Sequence, residues 1–217
     1  MRETILPFIV KCSHKNIVCM RNFFYSKSAS GSASEIKKYI NFVYDYVDGV
    51  TMDEYIKLNP SMKLKVVIMT ELITAIMYLN TLGIYHRDIK PLNILITKKG
   101  IPLLLDLGLG CIDKLYIHKY DLKPNEIMDL ECSSYRHLIG NKQTIAPELS
   151  DNSLPFLGFK YSDIYSLGIT FKIFLNNDIS LFPIINDMIN PNANLRPLLE
   201  TVLDSFRIVM DKLFSLK

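Results

Sequence analysis

Apolar residues recur at spacings of three and four from Met62 to Leu82. Leu64, Val67, Ile68, Leu72, Ile73, Ile76 and Leu79 carry the pattern. It predicts a helix of about six turns, ended by Gly83 as a C-cap. Upstream the pattern changes. Ile17–Tyr25 and Lys38–Val47 are rich in β-branched and aromatic residues and read as strands, with Asp48-Gly49 closing the second. Between them, Ser26–Ser34 places serine at every second position and predicts a flexible loop. Residues 1–12 carry Ile5, Leu6, Ile9 and Val10 at helical spacing, a short helix whose start is fixed near Pro7. Ile94–Ile96 and Leu103–Leu105 flank Lys98-Lys99-Gly100 and read as a hairpin. Residues 107–148 lack periodicity and predict a long loop. Helical spacing returns at about 161–175, 180–189 and 197–214.

Composition narrows the classes. The chain has 217 residues and is 49% hydrophobic, enough for one sizeable core. Its formal net charge of +3 argues against a strongly basic nucleic-acid binder and against an acidic tail. The apolar runs are too short to span a bilayer, so a cytoplasmic protein without membrane insertion is expected. Cys12, Cys19, Cys111 and Cys132 form no CxxC pair, which argues against a zinc knuckle or a thioredoxin-type motif. The Cys12/His14 and Cys132/His137 pairs lack a second pair at ligand spacing and read as chance.

The chemistry concentrates just beyond the long helix, in His86-Arg87-Asp88-Ile89-Lys90-Pro91-Leu92-Asn93. Asp106-Leu107-Gly108 begins 18 residues after Asp88. Ala146-Pro147-Glu148, Asp163-Ile164-Tyr165-Ser166-Leu167-Gly168 and Asn194-Leu195-Arg196-Pro197 follow in order. Upstream stand His14-Lys15-Asn16-Ile17-Val18 and the stretch Phe42–Gly49. Together these segments resemble the eukaryotic-type protein kinases, over nearly the whole chain. Lys90 resembles the Ser/Thr branch. Gly108-Leu109-Gly110 is not a dinucleotide fingerprint, because position 113 is Asp and no βαβ unit follows.

The resemblance implies an α+β, protein-kinase-like fold. It would be mainly the helical C-lobe (48–217), with a remnant two-stranded N-lobe and hinge (1–47), in a single domain. It implies that ATP and Mg2+ are bound and that the γ-phosphate passes to a Ser/Thr hydroxyl of a protein substrate. Such transfer needs an oriented nucleophile and neutralised phosphates. Asp88 would take or orient the hydroxyl proton. Lys90 would spread the charge of the transferring group, and Arg87 would be a fixed cation beside the base. Asn93 and Asp106 would be oxygen ligands to Mg2+. Backbone groups of Asp45 and Val47 would hold adenine, with Tyr44 beside it and Leu95 beneath. Glu148 and Arg196 would form a buried ion pair, and Asp163 would accept N–H bonds from the catalytic loop. Ser133, Ser134 and Tyr135 are the nearest positions for a regulatory phosphate.

The kinase pattern starts late. No glycine-rich loop and no phosphate-binding lysine strand precede His14, and Ile5 stands where the partner Glu of that lysine is expected. The few residues between Leu175 and Ser180 leave no room for a further helix. The chain therefore reads as an N-terminally truncated kinase, weak or partner-dependent. The alternative is a catalytically inactive pseudokinase that acts as a scaffold or decoy for a regulatory partner. A third reading encodes the absent lobe upstream. Small-molecule phosphotransferases are disfavoured by Ala146-Pro147-Glu148 and the Asp163 segment.

Overall fold

The computed structural model describes residues 13–18, 20–29, 36–123, 130–132, 143–150 and 158–215. The helix expected at 1–12, Cys12, Cys19, Ser133, Ser134, Tyr135 and His137 lie outside the described residues.

Two strands form an antiparallel hairpin, β1 (Met20–Ala29) and β2 (Ile36–Tyr44), with Phe23 opposite Phe42 and Tyr25 opposite Ile40. The first strand starts and ends later than the apolar pattern implied. Ser26–Ala29, expected in the loop, instead pairs with Ile36–Tyr39. Cross-strand pairing decides this stretch, since it has no apolar alternation of its own. The second strand ends at Tyr44, so Asp45–Asp48 run outside the strands. Two short elements carry too few residues to show a period: β3 (Gly49–Thr51) and α1 (Met52–Ile56). Glu54 returns to the Thr51 amide and closes α1 as a capping box.

The long helix, α2 (Met62–Thr81), begins at Ser61, whose side chain accepts from the Leu64 amide. It stops at Leu82, and Gly83 follows at φ +71°. A side chain there would be strained, and its Cβ would lie 2.2 Å from the Tyr116 ring. Val66, Ile68, Met69, Leu72, Ile73, Ile76 and Leu79 are buried, so the helix is the spine of the core. Against it pack α4 (Phe159–Phe174) and α6 (Leu199–Ser215). Phe206 of α6 stacks on Phe182 at 4.8 Å and meets Phe171 at 5.6 Å. Burying each such ring contributes about 1.5–3 kcal/mol. The short helices α3 (Pro147–Ser150) and α5 (Ile184–Met188) complete the helical body.

The site hangs from four more short strands. These are β4 (Ile84–Tyr85), β5 (Ile94–Thr97), β6 (Pro102–Leu104) and β7 (Cys111–Ile112). The order β3-β5-β6 makes one antiparallel sheet, and β4-β7 makes another. The pairing of β7, the bridge between Ile112 and Glu131, and a Cys111–Cys132 disulfide tie down part of the predicted 107–148 loop. The architecture is α+β with most of its mass in helices.

Candidate active site

The connection from β4 to β5 holds His86, Arg87 and Asp88, all buried. Arg87 adopts φ +68°, a left-handed turn that only surrounding contacts can hold. Asp163 of α4 supplies those contacts. Its two carboxylate oxygens accept the His86 N–H at 2.7 Å and the Arg87 N–H at 2.8 Å. Burial pushes the Asp163 carboxyl up from its usual range, against the opposing pull of His86, Arg87 and these amides. The Arg87 guanidinium lies 4.3 Å from the centre of the Phe159 ring, a cation–π contact.

Asp88 is the hub. Its Oδ2 accepts from Lys90 Nζ at 2.5 Å and from Asn93 Nδ2 at 2.9 Å. The same Asn93 nitrogen donates to the Asp88 carbonyl at 2.8 Å. Asn93 reaches back because Pro91–Asn93 is a 3-10 turn with proline at its start. The other carboxylate oxygen of Asp88, Oδ1, is buried with no hydrogen-bond partner among the described residues. An acceptor left so costs roughly 1–3 kcal/mol, and such groups call for an explanation.

Asp106 arrives from the end of β6. Leu105 donates its amide to the Asn93 carbonyl at 2.8 Å. The Leu105 carbonyl accepts from His86 Nε2 at 2.9 Å, while His86 Nδ1 accepts the Asp88 amide at 3.3 Å. These two bonds require the Nε2–H tautomer. His86 thus joins the Asp88 loop to the Asp106 turn. Asp106 has φ +62°, and its Oδ1 accepts the Gly108 amide at 3.0 Å. Asp106 is exposed and Leu107 buried.

Beside Asp106 opens a cavity of ≈330 Å³, lined by Val18, Tyr44, Asp45, Val47, Leu95 and Leu105. Burial raises the Tyr44 hydroxyl above its ordinary range, and the Asp106 charge adds to the shift. Arg21 holds the Asp45 carboxyl below its usual range.

A second set of buried charges lies behind the loop. Arg196 NH1 and NH2 meet Glu148 Oε1 and Oε2 at 2.6 and 2.7 Å, as expected for this pair. Ser162 Oγ also donates to Glu148, and Arg196 donates to the carbonyls of Asn190 and Tyr161. Burial pushes the Glu148 carboxyl up. The bonds from Arg196, its own amide and Ser162 outweigh this and hold it below its ordinary value.

The structure therefore joins Asp88, Lys90 and Asn93 by direct hydrogen bonds and tethers Asp106 to them through Leu105. Arg87 stands next to Asp88 but turns to Phe159. Asp45, Val47 and Leu95 gather with Asp106 at the cavity. The bridging part played by His86 was not expected, although the histidine stood in the motif. The Cys111–Cys132 bond was not expected either, because cysteine spacing does not fix connectivity.

A family model of the protein kinase domain matches residues 4–210. The chain belongs to the protein kinase domain family, and its α+β fold is kinase-like. A probable serine/threonine-protein kinase MRK1 homolog of Encephalitozoon cuniculi is 32% identical over 105 residues, 48% of this chain and 31% of the relative. A protein kinase and PP2C-like domain-containing protein of Oryza sativa subsp. japonica is 35% identical over 130 residues, 57% of this chain and 18% of the relative. Human TGF-beta receptor type-1 is 36% identical over 92 residues, 41% of this chain and 16% of the relative. The chain thus matches a third or less of the length of each of these proteins.

Proposed function

We propose that this chain is a phosphotransferase that moves the γ-phosphate of ATP to Ser/Thr hydroxyls of a protein substrate, acting in the cytoplasm through a single kinase domain, with a two-stranded N-lobe part and hinge at 1–47 and the helical C-lobe at 48–217. The observation that carries the reading is the divided carboxylate of Asp88. One oxygen is held by Lys90 and Asn93, and the other is buried without a partner among the described residues. A substrate hydroxyl is the partner that the second oxygen lacks, and Asp88 would orient it and accept its proton. Lys90, fixed beside Asp88, would spread negative charge on the transferring group. Arg87 would keep a positive charge next to the base.

The donor set suits Mg2+. Asn93 spends its amide nitrogen on Asp88, so a cation would meet its carbonyl oxygen, with Asp106 as the carboxylate ligand. Among the described residues no three His, Cys, Asp or Glu side chains cluster as a metal cage. Mg2+ needs none where nucleotide phosphates supply the remaining oxygens. When bound, it would neutralise phosphate charge. Backbone groups of Asp45 and Val47 would hold adenine in the ≈330 Å³ cavity, beside Tyr44 and over Leu95. Lys90 and the serine/threonine kinase named among the relatives support the Ser/Thr class. No helix among the described residues is long and apolar enough to cross a membrane.

A second reading is a pseudokinase scaffold or decoy that binds a regulatory partner. It is favoured by the lining of the cavity, which among the described residues includes no lysine. Thermal unfolding under Mg-ATP titration separates the two, since a ligand of the folded state raises the midpoint. The enzyme reading expects a rise that Asp106→Ala abolishes. It also expects Asp88→Asn to keep the rise and lower phosphate transfer by about 10²–10⁴. No rise at millimolar nucleotide would overturn it in favour of the scaffold.

A further inference from the structure

We propose that Cys111 and Cys132 form a reversible thiol–disulfide site. Its state sets how tightly the segment after Asp106-Leu107-Gly108 is held on the loop that carries Asp88. The proposal concerns regulation of the site proposed above and rests on that reading for its consequence, not for its chemistry.

The position of the bond carries the inference. Cys111 lies on β7 opposite Tyr85 of β4, the residue before His86. Cys132 follows Glu131, which bridges to Ile112. The bond therefore closes across 21 residues of sequence and fastens the far side of the segment to a strand paired with the start of the loop. Asp113 reinforces this strand pair. Its amide donates to the Gly83 carbonyl at 2.7 Å, and its carboxylate accepts the Tyr85 hydroxyl at 3.1 Å.

The surroundings make the bond local and leave one of its cysteines less enclosed than the other. Cys111 is wholly buried in a small cluster with Ala146, Leu149 and Phe159, separate from the main helical core. Phe159 is also the ring under the Arg87 guanidinium. Cys132 is only partly buried at the edge of that cluster, so it is the less enclosed of the two cysteines. Opening the bond would loosen the small cluster and leave the main core intact.

The exchange balances with low-molecular-weight thiols. A thiolate attacks the Cys132 sulfur, forming a mixed disulfide, and Cys111 leaves with the bonding electron pair and takes a proton. A second thiol displaces Cys132 from the mixed disulfide. The products are two cysteine thiols and one small-molecule disulfide, and a small disulfide drives the reverse.

The test uses the full chain in dithiothreitol or in oxidised glutathione. Differential alkylation with mass spectrometry reads Cys111 and Cys132, and reads Cys12 and Cys19 on their own peptides. Hydrogen exchange is followed at the same time. The expected result is that Cys111 and Cys132 are protected together under oxidation and labelled together under reduction. The Asp113 amide should exchange roughly tenfold faster after reduction, while amides of Leu72–Leu79 do not change. Cys132→Ser should match the reduced protein and ignore the reductant. If that variant does not fold, reduction of the natural chain carries the test. Free Cys111 and Cys132 after oxidation, a bond from either to Cys12 or Cys19, or unchanged Asp113 exchange would each overturn the proposal. Loss of Mg-ATP binding in both redox states, with the exchange change intact, would instead strike only the nucleotide reading.

Discussion

In the helical body, Phe171, Phe182 and Phe206 close ring on ring within a core shared by α4 and α6, whereas in the β1–β2 hairpin Phe24, Tyr25 and Tyr39 stand in solvent. The same residue class has opposite fates because the body wraps helices around α2 while the hairpin, among the described residues, is a sheet of two strands. Two strands alone are marginal in water. The division runs through the site. Asp88, Asn93 and Asp106 are tethered to the body by Asp163, His86 and Leu105. Tyr44, Asp45 and Val18 reach the cavity from the hairpin side. The groups proposed to take the substrate proton and to hold Mg2+ are thus bound to the body, whereas several of those proposed to face adenine come from the hairpin side.

The comparison breaks first at Arg196. Arg196→Ala leaves Glu148 as an unpaired buried charge and should lower stability by about 3–5 kcal/mol in a urea titration. A loss as small as that for a hairpin substitution would refute the contrast. Asp163→Ala orphans the His86 and Arg87 amides, at roughly 1–3 kcal/mol for each. It should also slow any phosphate transfer, because the left-handed turn at Arg87 loses its support.

Acid sharpens the contrast further. The Glu148 carboxyl sits below its ordinary value of 4.5 when folded. Its ionisation therefore contributes fully above the unfolded value and is lost as pH falls through the lower folded one. The stability gap between the natural chain and Glu148→Gln should be widest near neutrality and should narrow below about pH 4.5. Asp163, raised by burial, acts in the opposite sense. A gap that widens in acid would show the pair to be miscast. The smallest effect is expected in the hairpin. Tyr25→Ser, at a position 68% exposed, should leave the unfolding midpoint unchanged within error.

How much the sequence revealed follows the same division. The loop from His86 to Asn93 could be read because its chemistry needs particular residue types at fixed spacing. Helix α2 could be read because burial on one long element imposes a period. The strand through Ser26–Ala29 could not, since its partner across the hairpin decides it. Helix α1 and strand β3 were too short for any period to show. The left-handed turns at Arg87 and Asp106 left no compositional trace, because neither is glycine. The role of His86 was hidden for another reason: a histidine in a motif does not say which carbonyl its ring will reach.

Asn16 is where the hairpin side joins the body. Its side-chain Nδ2 donates to Glu71 and to the Pro102 carbonyl, its backbone carbonyl accepts the Leu104 amide, and the Val18 amide donates to the Leu104 carbonyl. Such a compact joint makes a natural splice point for chimaeras. A foreign sheet grafted after Val18 would inherit a ready-made seat, and the helical half could be studied under a borrowed roof.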